Sequence, residues 1–413
     1  MIWHFQKILS RRLLIWSTLS VLVGLALWLG GADFWRGFGI QAALWGVIDA
    51  VIALAGLRGV AARLEGPVDA DENARKARSL RRVLWINGGL DVLYILAGVG
   101  LLLWGGSDLL HGMGWGIIVQ GAFLLAFDAL HALGTPMEEV SLPALEVFER
   151  PEHLPYRLEG EPSTPVALLV HGFPGTTGEL RPLADLLHAA GWTVQGLLVP
   201  GLGRELPALF QQRAALWVDW LSGQVESARA AGRPVILIGF SLGGAISAAA
   251  AERCKPDRLV LLAPFWWEEP FWLRLLFGAL ETIFTPTIRP FRALPEGFTQ
   301  MMQEARRTNV DLSGVPEADM QQMRELRLPL VFVDQFRRLS RRVRQSAEGL
   351  DMPVLILHGV QDTVAQPRFS HRLAELIGAN ARYETVPGEH HTFMAGGEAF
   401  EQTARSIVEF GTE

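Results

Sequence analysis

Cysteine is almost absent from this chain. Among 413 residues only Cys254 carries a thiol, so no disulfide can form within the chain and the fold must hold without one. This suits a reducing compartment. Charge is also scarce, since 19% of the residues are charged and the formal net charge is −6, against about a quarter charged in an average soluble domain. No basic stripe with interleaved aromatic residues is present, which argues against nucleic acid as the main partner.

Hydrophobic residues make up 50% of the chain, and the longest apolar runs precede residue 135. Each run is close to the ~20 residues that a bilayer core requires, and the runs lack the polar face of helices in a soluble bundle. No small-x-small cleavage site follows the first run, so we expect an uncleaved span rather than a signal peptide. Residues 1–134 are therefore predicted to be a transmembrane domain with spans at about 13–31, 37–57, 83–104 and 114–133.

A repeat and the loop charges organise these spans. The segment "RRLL…VLVGLALWLGGAD" is echoed by "RRVL…LAGVGLLLWGGSD", and "GFGIQAALWGVIDA" by "GWGIIVQGAFLLAFDA", which predicts two tandem hairpins. Lys7, Arg11 and Arg12 precede the first span and many arginines lie between 58 and 82, whereas the loop "GGSDLLHGMG" has neither Lys nor Arg. The positive-inside rule then places both termini and everything after residue 134 in the cytoplasm, as part of a multi-pass integral membrane protein.

Polar residues interrupt the predicted spans at Asp49, Asn87, Asp91 and Asp128. A carboxylate inside a membrane is costly and is by default a functional hypothesis. Because no basic partner lies within the spans, we favour hydrogen bonds between helices as their role, with a functional relay as the alternative.

Residues 135–153 are rich in Pro and Glu and are predicted to be a linker. From 154 to 413, short aliphatic runs such as "PVALLVHGF", "PVILIGF" and "MPVLILHG" alternate with helical stretches. Such alternation predicts a mostly parallel sheet covered by helices on both faces. In these sheets the active site lies at the carboxyl ends of the strands.

The stretch "GFSLG" at 239–243 places a serine between two glycines, directly after a predicted strand and before an alanine-rich helix. This is the context of a nucleophile elbow, which exposes the oxygen of Ser241. The acid and the base follow in the chain order of such enzymes, with Asp362 after one strand and the histidines of "PGEHHTF" after the last. Asp334 and Asp351 are rival acids.

The oxyanion of an acyl-transfer reaction requires backbone N–H donors. One is predicted at Leu242, directly after the nucleophile, and the other at Phe173 in the loop "HGFPG" after the first parallel strand.

Residues 154–411 resemble the α/β-hydrolase superfamily, in particular its carboxylesterase and monoacylglycerol-lipase-like branch. The motifs that carry the resemblance are "HGFPGTTGELRPLADLL", "VPGLG", "GFSLGG", "HGVQD" and "VPGEHHTF". The resemblance implies a Ser241, Asp362 and His391 triad, because the family often reads P-G-x-x-H in its last motif, which favours His391 over His390. It implies Phe173 and Leu242 as oxyanion donors and no requirement for a metal or cofactor.

The insertion at about 265–350 occupies the usual position of a lid, and it opens with "FWWEEPFWLRLLFGALETIF". Two roles are open for its apolar residues: they line an acyl pocket, or part of their surface dips into the membrane interface. These residues are Trp266, Trp267, Phe271, Trp272, Leu273, Leu275, Leu276 and Phe277.

The expected function is a membrane-anchored serine hydrolase that cleaves carboxylic esters of small molecules or lipids, with the bilayer as its partner. A peptidase or thioesterase stays open, whereas dehalogenases and epoxide hydrolases of similar fold use an Asp nucleophile. The alternative of another class is a transport or sensing module with a regulatory hydrolase-like domain.

Overall fold

The computed structural model describes residues 1–64, 69–137, 140–230, 232–283, 287–293, 299, 312, 314–394 and 396–413. The chain divides into two compact units. The first comprises Met1–Glu139 with Leu275–Pro286, and the second comprises Val140–Arg274 with Thr287–Glu413.

The first unit is built on four long helices: α1 (Ile2–Gly30), α2 (Asp33–Ala61), α3 (Ala70–Trp104) and α4 (Asp108–Gly134). All four are long and apolar enough to cross a membrane, which confirms the four helices predicted from the sequence. The first helix begins about ten residues before the predicted span, because Ile2, Phe5 and Leu9 pack into the core of the bundle. A 3₁₀ turn, Ala62–Leu64, follows α2, and Asp69 caps α3 by accepting a 2.9 Å hydrogen bond from the Glu72 N–H.

Small residues let the helix backbones approach closely. A Cβ on Gly24 of α1 would lie 2.7 Å from the Gly39 carbonyl oxygen of α2, and a Cβ on Gly98 of α3 would lie 2.8 Å from that of Gly114 in α4. Such contacts are typical of helices that associate in membranes.

The carboxylates of the spans, Asp49, Asp91 and Asp128, are all buried within the bundle. The Gln120 side chain donates a 3.3 Å hydrogen bond to Asp49 Oδ2 and so joins α4 to α2. This bond is of the interhelical kind that the sequence favoured.

The second unit contains a sheet of seven strands: β1 (Tyr156–Leu158), β2 (Val166–Val170), β3 (Thr193–Leu197), β4 (Val235–Phe240), β5 (Arg258–Leu262), β8 (Val354–Gly359) and β9 (Ala381–Val386). Their order is β1-β3-β2-β4-β5-β8-β9. Only β1 runs antiparallel, against β3, and the other neighbours are parallel. A separate antiparallel pair joins β6 (Thr287–Ile288) to β7 (Leu328–Pro329). This confirms the predicted helical bundle followed by a mostly parallel α/β domain.

Helices cover both faces of the sheet because successive residues of its buried strands point to opposite sides. Leu168 and Leu237 face a core with α6 (Ala214–Arg229), α7 (Leu242–Cys254), α11 (Leu330–Ala347) and α12 (Pro367–Ile377). Leu169 and Ile238 face a second core with α5 (Arg181–Ala189) and α13 (Glu398–Thr412). The other helices among the described residues are α8 (Phe271–Ile283), α9 (Pro290–Ala293) and α10 (Glu317–Arg324).

The predicted linker contributes to the second unit. Glu146–Glu149 and Pro151–His153 form 3₁₀ turns, and Leu142, Leu145 and Phe148 are buried in the core that also contains α6 and α7. Apolar residues at these positions pack instead of remaining in solvent. Within the predicted lid, residues 284–286, 294–298, 300–311 and 313 lie outside the described residues.

Candidate active site

Ser241 occupies a sharp turn between β4 and α7. Its φ of 51° and ψ of −116° lie outside the helical and extended regions, a conformation that costs roughly 1–3 kcal/mol for a residue other than glycine. Its N–H donates to the Leu262 carbonyl (2.9 Å), and its own carbonyl accepts from the N–H groups of Ala245 (3.1 Å) and Phe265 (2.9 Å). These bonds to the end of β5, to α7 and to the following loop hold the strained turn.

The two glycines of "GFSLG" are required by the close approach of the chain. A Cβ on Gly239 would lie 2.5 Å from the Gly243 carbonyl oxygen, and a Cβ on Gly243 would lie 2.2 Å from the Val170 carbonyl oxygen. Real Cβ atoms do not approach neighbours so closely, so larger side chains would push the turn out of place.

The loops after β8 and β9 bring a carboxylate and an imidazole together. Gln361 N–H donates to the Gly388 carbonyl (2.9 Å), and Asp362 Oδ2 lies 2.7 Å from His390 Nδ1. Because the carboxylate only accepts, the proton of this bond is on Nδ1, which leaves Nε2 as the basic nitrogen of a neutral ring. The centroid of the His390 ring lies 4.8 Å from that of Phe240, the residue before Ser241.

The carboxylate of Asp362 is fully hydrogen-bonded. Its Oδ1 accepts from the N–H groups of Val364 and Ala365 (both 2.8 Å), and its Oδ2 lies 3.2 Å from Nε2 of the fully buried His358. Burial alone raises the pKa of Asp362, but the hydrogen bonds from His358 and His390 outweigh it and hold this pKa well below its usual range. Asp362 therefore stays ionised at neutral pH and orients the imidazole of His390.

The expectation of His391 as the histidine paired with Asp362 needs correction. The imidazole on Asp362 belongs to His390, which is buried in the 3₁₀ turn His390–Phe393, and the side chain of His391 lies outside the described residues. Family spacing favoured His391, but the geometry of the turn presents its first residue to the carboxylate.

The rival acids have other partners. Asp334 is buried in α11 and forms ion pairs with Arg337 (3.3 Å) and Arg338 (2.7 Å). Asp351 is exposed and pairs with Lys255 at 2.7 Å.

The predicted oxyanion donors are on two segments next to Ser241. Leu242 is the first residue of α7, where backbone N–H groups have no acceptor within the helix. Phe173 follows Gly172, at which an added Cβ would lie 3.0 Å from Ser241 Cβ. The loop after β2 therefore runs directly beside Ser241.

An apolar cavity of about 650 Å³ opens at Ser241, a size typical of small-molecule sites. Among the described residues, Ser241 is the only wall residue with a polar side chain apart from the indole of Trp267. The other wall residues are Leu142, Leu145, Phe148, Phe173, Pro174, Leu206, Leu209, Phe210, Leu242, Phe265, Pro290, Phe291, Leu312, Met323, Leu326, Leu328, Phe332, Val333, Phe336 and Val364.

The two tryptophans that open the predicted lid differ in position. Trp266 is buried, and its indole N–H donates to the Phe369 carbonyl at 3.1 Å. Trp267 lines the cavity. Of the two roles left open by the sequence, the structure favours the core and the pocket over the membrane interface for both residues.

Two further polar residues of the site escaped the sequence reasoning. His358 lies on β8 four residues before Asp362, and Glu179 lies in the 3₁₀ turn Thr177–Leu180, where its Oε2 accepts from the Gly172 N–H at 2.6 Å. His358 could have been predicted from its position in the motif "HGVQD". No local sequence pattern indicates the role of Glu179. Over the described ranges, no group of three or more His, Cys, Asp or Glu side chains could hold a metal ion.

Comparison with known proteins identifies related families for both parts of the chain. Residues 161–398 match the Hydrolase_4 family, described as "Serine aminopeptidase, S33". Residues 12–129 match the family of unknown function DUF6992.

Individual relatives are distant. The pimeloyl-[acyl-carrier protein] methyl ester esterase of Neisseria meningitidis is 24% identical over 251 residues, which cover 59% of this chain and 92% of the esterase. A structure reported for the metagenome-derived lipolytic enzymes LipS and LipT has 17% identity and a TM-score of 0.46, over 63% of this chain and 98% of that one. The Paleococcus ferrophilus monoacylglycerol lipase has 23% identity and a TM-score of 0.43, over 62% and 98%.

The Hydrolase_4 match spans more than half of the chain and includes the turn at Ser241, the Asp362–His390 pair and six of the seven strands of the large sheet. The protein therefore belongs to the Hydrolase_4 family and carries an α/β-hydrolase domain after its four apolar helices.

Proposed function

We propose that this protein is a membrane-anchored serine hydrolase that cleaves carboxylic esters with apolar acyl chains, such as lipid or acylglycerol esters. The observation that carries the proposal is the position of Ser241, which lies on a strained elbow at the wall of an apolar cavity.

The proposed reaction uses Ser241, His390 and Asp362. His390 Nε2 takes the hydroxyl proton as the Ser241 oxygen attacks the ester carbonyl, and the N–H groups of Leu242 and Phe173 stabilise the oxyanion. His390 then gives the proton to the departing alcohol, and an acyl-enzyme forms on Ser241. Water attacks this ester, its proton passes to His390 and then to Ser241, and the carboxylic acid leaves.

The wall of the cavity supports an acyl chain as its occupant. Burial of a methylene group in such an environment contributes about 0.8 kcal/mol. An aminopeptidase must instead bind the cationic amino end of its substrate, and an unpaired cation is costly to bury. No carboxylate lines the cavity among the described residues, so esters suit this site better than peptides.

The four apolar helices support the membrane anchor. Many large side chains on them are exposed, including Leu22, Leu93 and Leu103 at more than 60% each. Contiguous apolar surface of this kind is unfavourable in water and favourable in lipid.

The test is turnover of esters by the purified full chain in detergent or nanodiscs. We expect release of acid from a soluble aryl ester and from a monoacylglycerol, with no activity in Ser241→Ala and an unchanged melting temperature. Activity of the Ser241→Ala variant close to wild type would refute the assignment of the nucleophile.

A further inference from the structure

The loop that carries Phe173 is held by two buried side chains that contact its backbone. Glu179 Oε2 accepts the Gly172 N–H at 2.6 Å, and His171 Nδ1 lies 2.8 Å from the Gly172 carbonyl oxygen. Glu179 is only 2% exposed and His171 only 1%. Glu179 therefore fixes the His171–Gly172 peptide group, and His171 fixes the Gly172–Phe173 peptide group.

The tautomer of His171 follows from its second contact. The Val199 N–H donates to His171 Nε2 at 3.0 Å, so in the neutral ring the proton is on Nδ1 and is donated to Gly172. Burial lowers the pKa of His171 to about 4, so the ring is neutral at pH 7.

These bonds determine where the predicted oxyanion donor points. The Gly172 carbonyl and the Phe173 N–H belong to one planar peptide group, so a bond that fixes the carbonyl also fixes the direction of the N–H. The preceding peptide group is fixed by Glu179. A carboxylate acceptor makes a stronger hydrogen bond than a neutral one, and a Cβ on Gly175 would lie 2.6 Å from this carboxylate, so the loop closes tightly around it.

From this geometry we infer that Glu179 is a positioning residue. It holds the His171–Gly172 peptide group, and together with the His171 bond to the next peptide group it sets the direction of the Phe173 N–H that the oxyanion requires. The inference rests on the proposed function, since it assigns a role in the same reaction. Glu179 is not among the described residues that line the cavity, and it acts through the backbone of Gly172.

The test compares Glu179→Ala and Glu179→Gln with a matched control. The alanine variant lacks the acceptor, whereas the glutamine side chain has a carbonyl oxygen that can accept the same N–H. Glu205→Ala is the control, because Glu205 Oε2 also accepts a backbone N–H from a glycine, Gly201 at 3.1 Å, in a different loop.

Loss of one oxyanion donor costs about 100- to 1,000-fold in turnover in a serine hydrolase. We expect Glu179→Ala to lower kcat on a soluble aryl ester by about 100-fold with little change in KM. We expect Glu179→Gln to recover most of this loss and Glu205→Ala to stay near wild type. The inhibition constant of a boronic acid, which forms a tetrahedral adduct, should rise in Glu179→Ala in parallel with the loss of kcat, while that of the product acid should not change.

Other outcomes overturn the inference. They include near-wild-type kcat in Glu179→Ala, a Glu179→Gln variant no better than the alanine variant, or equal weakening of boronic acid and product acid. The rate of labelling by a fluorophosphonate separates this failure from that of the proposed function. Wild-type protein that neither labels nor hydrolyses esters would refute the function, whereas Glu179→Ala that labels at the wild-type rate would refute only the role of Glu179.

Discussion

The apolar cavity predicts a steep dependence of activity on acyl chain length. Each methylene buried against its wall contributes about 0.8 kcal/mol, or roughly fourfold in kcat/KM. From an acetyl to a hexanoyl ester, four methylenes give about 3.2 kcal/mol, an upper bound of roughly 200-fold. The assay is kcat/KM for a series of soluble aryl esters hydrolysed by the full chain. A flat series, or a preference for acetate, would refute the role of the cavity as an acyl site.

A narrowing substitution tests the same reasoning from the protein side. Val333 lines the cavity, so Val333→Trp should remove most of the advantage of the hexanoyl ester and leave acetyl hydrolysis within about threefold. Leu186→Trp, at an exposed position of α5 that is not part of the cavity wall, is the control and should leave the series unchanged. Melting temperatures show that the variants fold, and an equal loss on both esters in folded Val333→Trp would contradict the account.

Three further predictions concern stability and topology. The depressed pKa of Asp362 means that its ionised form stabilises the fold above the unfolded-state pKa of ~3.9 and that this contribution fades as pH falls toward the lower folded value. Asp362→Asn should therefore lower the free energy of urea unfolding by about 1.5–3 kcal/mol at pH 7, and by progressively less below about pH 4. An equal loss of stability at pH 3 and pH 7 would contradict this prediction. Trp266→Phe should lower the free energy of unfolding by about 1–3 kcal/mol because it leaves the Phe369 carbonyl without its donor. Trp267→Phe should change the preference for acyl chain length more than it changes the urea midpoint. The opposite pattern would mean that Trp267 belongs to the core and Trp266 to the pocket. The basic residues at Lys7, Arg11 and Arg12 and within residues 58–82 predict that protease digests the α/β domain only from the cytoplasmic side of oriented vesicles. Digestion from the outer side alone would show the opposite topology.

The parts of the site that could be predicted depend on local constraints. The turn at Ser241 requires glycine at positions 239 and 243, so a pattern of five consecutive residues is enough to predict it. Asp362 could be found because it lies three residues after the buried strand β8, and strand ends in a parallel sheet converge at one edge.

The parts that could not be predicted depend on how loops fold onto one another. Two adjacent histidines are equivalent in spacing arguments, and only the turn after β9 decides that His390 reaches Asp362. The composition of "FWWEE" is compatible with a position of Trp266 at the membrane interface. In the structure, however, its ring is buried and its indole N–H donates to a carbonyl of α12. Glu179 resembles any acidic residue before a helix, and its contact with Gly172 exists only once the loop after β2 has closed.

The central claim is that Ser241 is a nucleophile activated by His390 and Asp362. Covalent labelling by a fluorophosphonate tests it most directly, because labelling requires an activated serine and no knowledge of the substrate. Labelling of the wild-type chain should map by mass spectrometry to Ser241, disappear in Ser241→Ala and slow by several orders of magnitude in His390→Ala. The His391→Ala variant should label much faster than His390→Ala. Labelling at another residue, or rapid labelling of His390→Ala beside slow labelling of His391→Ala, would contradict the account.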